Sequence, residues 1–202
     1  MQSISRSLKI LLTALILSNI VLMTYILFYS INNKQNLNAE RININDASGK
    51  NRIVIANTDH IPPPIIKGKT YKRAYAPAGL IFYDKNGDER GGLAITDNEE
   101  TNLNALAFDY QNADAIGILA QDNKHDDYFR AGLVINDKDL SGKPGHNINR
   151  INLLTENGNA SLVIKDNNEK PRIILKVDSL GNPSIEMYDK NGDLNWKQST
   201  KD

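Results

Sequence analysis

The stretch INLLTENGNASLVIKDNNEKPRIILKVDSLGNPSIEMY, residues 151–188, decides the fold. Its apolar side chains recur at every second position: Ile151 with Leu153, Leu162 with Ile164, Ile173 with Leu175 and Val177, and Ile185 with Met187. A period of two puts each set on one face of an extended strand, because successive side chains point to opposite sides. Between these sets stand ENGNA at 156–160, DNNEKP at 166–171 and DSLGNP at 178–183. Gly and Asn tolerate positive φ and Asp bonds its own downstream backbone, so these are tight reversals. The segments start at almost even spacing, at Ile151, Leu162, Ile173 and Ile185. Neighbours in sequence then become neighbours in the sheet, and the expectation is an antiparallel meander.

Working towards the amino terminus, the same alternation recurs at Ile42 and Ile44, Ile53 and Ile55, Leu80 and Phe82, and Leu93 and Ile95. It continues at Leu106 and Phe108, Ile116 and Ile118, and Leu133 and Ile135. Eleven strands are expected in all, from Arg41–Asn45 to Pro183–Tyr188. Asn-Gly at 86–87, 157–158 and 191–192 is the strongest short-range hairpin signal. A sheet with one apolar face must bury it, so the expected class is all-β, an antiparallel meander closed as a sandwich or barrel after an amino-terminal transmembrane helix. A β-solenoid-like repeat is the alternative, because AGLIFYDK at 78–85 resembles AGLVINDK at 131–138.

The run from Ile10 to Ile31 carries no charge. As a helix it would extend roughly 33 Å, enough to cross a hydrocarbon core about 30 Å thick. Arg6 and Lys9 precede it, while the charges that follow nearly cancel, so the amino terminus is expected in the cytoplasm. The run is too long for a cleaved signal and ends in Phe28, Tyr29, Ser30 and Ile31 without a small-residue cleavage site. The expected organisation is a cytoplasmic segment at 1–9, a transmembrane helix at 10–31, a tether at 32–40 and an extracytoplasmic β domain at 41–202, periplasmic or extracellular, on a single-pass protein of the cell (inner) membrane.

Across 202 residues there are 24 basic and 24 acidic side chains and no cysteine. Balanced charge argues against a nucleic-acid partner, and the missing thiols exclude disulfide scaffolds, thiol nucleophiles and cysteine-held metals. One stretch interrupts the strands: TDHIPPPIIKGKTYKRAYAPA, residues 58–78. It combines prolines with Lys67, Lys69, Lys72 and Arg73 and with Tyr71 and Tyr75. Loops of that length are often functional, and cations beside aromatic rings suit an envelope protein or an anionic surface. These six residues are the candidate binding site.

Residues 65–95, IIKGKTYKRAYAPAGLIFYDKNGDERGGLAI, resemble a group of uncharacterised bacterial proteins with one amino-terminal membrane span and an external β-rich domain. The likeness lies at Gly68 and Lys69, at Pro77 through Leu80, at Gly87 to Glu89 and at Gly91 to Leu93. It implies the same architecture and supplies no catalytic residue.

Chemistry is thinly signalled. Asp84, Asn86 and Asp88 begin like a calcium loop, but position 6 is Glu89 rather than Gly and position 12 is Ile95 rather than Glu, so a hairpin turn is expected. No cofactor or metal motif is present, and no catalytic residue is assigned. Three functional classes follow: a binding domain acting through the 59–78 loop, a hydrolase built around His125, Asp126 and Asp127, and a structural protein self-associating into a homo-oligomer through Asn19 and exposed strand edges.

Overall fold

The computed structural model describes residues 5–32 and 36–199. The expected cytoplasmic segment and tether therefore lie partly outside the described residues, at 1–4 and 33–35. Two compact units are present, Met1–Ala39 and Glu40–Asp202. The first is helix α1, Arg6–Asn32, apolar around its whole circumference rather than along one stripe, and long and apolar enough to cross a membrane. Polar side chains within it bond their own preceding turn: Asn19 donates to the Leu15 carbonyl at 2.9 Å, and Thr24 to Ile20 at 2.7 Å. This is how an amide or hydroxyl is satisfied where water is scarce.

The second unit is an antiparallel β structure. Its strands are β1 (Arg41–Asn45), β2 (Asn51–Ala56), β3 (Ile65–Ile66), β4 (Lys69–Thr70), β5 (Ala78–Tyr83), β6 (Glu89–Asp97) and β7 (Thr101–Asp109). They continue as β8 (Asp114–Asn123), β9 (Phe129–Lys138), β10 (Asn147–Glu156), β11 (Asn159–Lys165), β12 (Pro171–Val177), β13 (Pro183–Tyr188) and β14 (Leu194–Ser199). All eleven expected strands are present. β14 and the small β3–β4 hairpin are additions.

Twelve strands form one sheet in strict chain order, from β1 and β2 through β5 to β14, with β3–β4 apart from it. The meander is thus as expected, but its closure into a barrel is not. Among the described residues β1 pairs only with β2 and β14 only with β13, leaving two edges. Nor does a second large sheet cover the first: the strands pack substantially only against their hydrogen-bonded neighbours. Antiparallel pairing throughout also excludes the solenoid alternative. Across β5–β8 one face of the sheet carries small residues, with Gly79, Ala94 and Ala105 in one register row and Gly92, Ala107 and Gly117 in the next.

One part of that face is covered. The chain leaves β2 at Ala56, crosses the face to the opposite edge of the sheet and returns to begin β5. At the far end Lys67 and Gly68 turn the β3–β4 hairpin with φ of 51° and 72°, and the Gly68 amide donates to Asp88 Oδ1 at 2.7 Å. Beneath this flap lie the buried side chains Val54, Ala56, Ile81 and Tyr83, with Ile61 and Ile65 packed onto them. Burial of Val54 and Ile81 contributes about 1.5–3 kcal/mol each.

Arg73 clasps the flap. Its guanidinium meets Glu89 through two bonds, at 3.1 and 2.6 Å, while its Nε donates to the Pro62 carbonyl at 2.7 Å. Both partners are mostly shielded from water, so losing one leaves the other badly solvated. Glu89→Gln should therefore cost about 2 kcal/mol, lowering the melting temperature by roughly 5 °C. A thermal melt followed by circular dichroism checks this; an unchanged midpoint would mean that the clasp carries no stability.

Candidate functional site

The six loop residues separate into two groups. Arg73 is spent on Glu89, and Lys67 reaches the Gly142 carbonyl at 3.4 Å. Tyr71 is half-buried, its amide held by Pro64. Lys69, Lys72 and Tyr75 stay exposed. The basic run is therefore first an internal strap, with three side chains left for an outside contact.

The His125 to Tyr128 cluster forms the β8–β9 turn. Asp126 accepts from the Tyr128 amide at 3.1 Å and from Asn123 at 3.3 Å, and the Tyr128 hydroxyl donates to Glu156 at 2.6 Å. That bond to Glu156, aided by desolvation, raises the Tyr128 pKa above its ordinary value. Asp126, Asp127 and Tyr128 line an open depression of about 590 Å³ together with Phe129, Asn157 and Gly158. His125 is not among them and has no hydrogen bond to either aspartate among the described residues. The acid–base pairing that a hydrolase would need is not assembled there.

The two DKNGD segments are turns whose carboxylates serve their own backbone. Asp84 accepts from the amides of Asn86 and Asp88 and from Arg90, and Asp189 accepts from those of Asn191, Gly192 and Asp193. The Asp193 amide, with the others outweighing slight desolvation, holds the Asp189 carboxyl below the usual carboxylate range.

Asp109 behaves differently. It ends β7 opposite Asp114, its Oδ1 is buried without a partner, and burial, reinforced by the Asp114 carboxyl, pushes its pKa up to about 8. Below the unfolded value near 3.8 both states carry the proton. As pH rises towards 8 the unfolded chain releases it first, so the native state holds more protons and loses stability. The Asp109→Asn variant should therefore melt several degrees above the parent at pH 8, with the gap closing near pH 4. Parallel melting curves across that range would contradict the assignment.

A cleft of about 480 Å³ lies on the small-residue face beyond the flap, with Gly117 and Ala107 in its lining. Its polar wall is self-satisfied. Asn149 donates to Asn136 and Asn152 at 3.0 Å each and accepts from Lys165 at 2.5 Å, while Asn136 donates to the Asp114 carbonyl at 3.1 Å.

The chain fits no protein family it was compared with, and no curated protein is significantly similar to it.

The largest feature of the unit lies on the opposite face. Two rows of apolar side chains run across the sheet, the first in continuous register from β1 to β13. One passes from Ile42 through Ile55, Leu80, Leu93, Leu106 and Ile118. It goes on through Leu133, Leu153, Leu162 and Leu175 to Ile185. The parallel row begins at Ile44, Ile53 and Phe82, and ends at Ile173, Met187 and Trp196. Gly91 interrupts it, and over that glycine the rings of Phe82 and Phe108 stack with centroids 6.2 Å apart. Neither row holds a charged residue.

Most of these side chains face outward. Ile118 is 58% exposed, Phe108 54% and Leu153 52%, and Ile44, Ile55, Leu93, Leu106, Ile116, Leu175, Ile185, Met187 and Trp196 exceed a third. At on the order of 80 Å² for each half-exposed large side chain, this is on the order of 1,000 Å² of apolar surface. The largest patch on a typical monomer is about 300–600 Å². The alternation that announced these residues led to an expectation of burial. They are instead the principal surface of the molecule, which the sequence reading did not anticipate as a site.

Proposed function

We propose that this chain is a non-enzymatic, membrane-tethered interaction protein that binds another protein through the two-row apolar face of its sheet. The observation that carries the reading is that pair of uncharged rows, spanning the sheet and left uncovered by the described residues of the sheet unit. Apolar area of this extent is stable in water only when something removes it from water. The flap supports the same reading, because it covers the other face and leaves this one open. Lys69, Lys72 and Tyr75 supply a secondary contact for an acidic partner. In this reading α1 holds the protein in the cell (inner) membrane with Arg6 and Lys9 on the cytoplasmic side, and the sheet lies in the periplasm or outside the cell.

A photo-activatable residue at Ile118 or Leu153, in the full-length chain in its own membrane, should form protein adducts. One at Lys176 on the opposite face should not. Equal yields from both faces, or none from the apolar one, would overturn the proposal. Protease added to intact spheroplasts should digest the sheet domain; protection until lysis would overturn the orientation.

A further inference from the structure

We infer that the partner covering the apolar face is a second copy of the same chain. This rests on that face being the interaction surface, and it names the occupant. Three properties of the face select it.

The first is length. Twelve strands at about 4.8 Å spacing extend roughly 50 Å. A short peptide or a small apolar ligand would leave most of both rows wet. A second copy brings two rows of the same length and pattern.

The second is charge. The two rows themselves hold no ionic group with which to choose a different partner, and laying row on row brings no like charges together; Asp97, Asp122 and Asp137 on the same face stand outside the rows, towards the strand ends. A two-fold interface places one surface patch against itself, so a face acceptable to itself meets the requirement. The flanking turns mix Asp46, Asp84, Asp166 and Asp189 with Lys50, Lys85, Lys170 and Lys190, and Arg90 and Arg172 pair with two of these acids. A balanced rim lacks the basic excess by which an amphipathic surface lies on anionic lipid.

The third is area. On the order of 1,000 Å² of exposed apolar surface exceeds the roughly 800 Å² that each partner of a stable complex buries. The missing half of the core is also supplied in this way, because among the described residues the domain's buried hydrophobic side chains are Val54, Ala56, Ile81 and Tyr83. Copies held by identical helices in one bilayer would meet at raised local concentration.

The chain has no cysteine, so a single introduced one reports only intermolecular disulfides. Leu106→Cys, Ile118→Cys, Leu133→Cys and Leu153→Cys would be oxidised in native membranes beside Ser161→Cys and Lys176→Cys on the opposite face. Linked dimers from at least one of the first four and none from the last two are expected. The unmodified full-length chain in lipid nanodiscs should have a mass of two or more copies. A monomeric mass, with no linkage from the central row, would overturn the inference whether or not any variant folds. A monomer whose apolar face still captures a different protein, or inserts into lipid, would overturn self-association while separating its failure from that of the interaction reading.

Discussion

The Gly79→Ala variant is expected to lose the folded sheet. Gly79 sits in β5 between Ala56 of β2 and Ala94 of β6. A Cβ built there falls on the Leu93 carbonyl oxygen and lies 3.0 Å from the Leu93 carbonyl carbon. Both are backbone atoms of a paired strand, so no rotamer change relieves the overlap. β5 and β6 must separate, which breaks the sheet beside the buried cluster of Val54, Ala56, Ile81 and Tyr83. The cost should exceed about 4 kcal/mol, at the extreme of single-residue effects. Gly117→Ala is the control: its nearest neighbour would be the Leu106 carbonyl oxygen at 3.7 Å, ordinary contact. That variant should match or slightly exceed the parent, since alanine orders a strand at lower entropic cost than glycine. Far-ultraviolet circular dichroism and thermal melts of the full chains in detergent compare the two. A Gly79→Ala protein melting within a degree of the parent would refute the close strand approach.

Ile118→Lys is the second large effect. In an isolated chain this position is 58% exposed, and a lysine would carry its ammonium into water at a cost within about 0.5 kcal/mol. In a face-to-face pair the same substitution buries two like charges, one from each copy. The melting temperature of the parent should rise with protein concentration, as mass action requires of an assembly stabilised by association. The Ile118→Lys protein should lose that dependence, melt at least about 10 °C lower at high concentration and run as a single copy. Lys176, on the opposite face, tolerates exchange to Ser without either change. A concentration-independent melt in the parent, together with an unaltered midpoint in Ile118→Lys, would mean that the face works alone.

Most of the strand order could be read from residues. Ile151 with Leu153, or Leu162 with Ile164, leaves no choice of face, and the Asn-Gly and Asp-led turns fix which strands adjoin. β14 was harder to see, because after the turn at 189–193 only Leu194 and Trp196 alternate before Lys197 and Gln198. Closure of the sheet was not legible, since alternation tells which side chains share a face and not what covers them. The basic loop was conspicuous by composition, but composition does not reveal that Arg73 is matched by Glu89, sixteen residues away. Asp109 was silent for the same reason, because its burial opposite Asp114 follows from register alone.

The most direct measurement is the reactivity of single cysteines towards a membrane-impermeant maleimide in intact membranes with an opened outer barrier. Leu106→Cys and Ile118→Cys, each more than a third exposed in the lone chain, should react at least about ten times more slowly than Lys124→Cys in the β8–β9 turn, because another molecule covers the face. Equal rates at all three positions would contradict it.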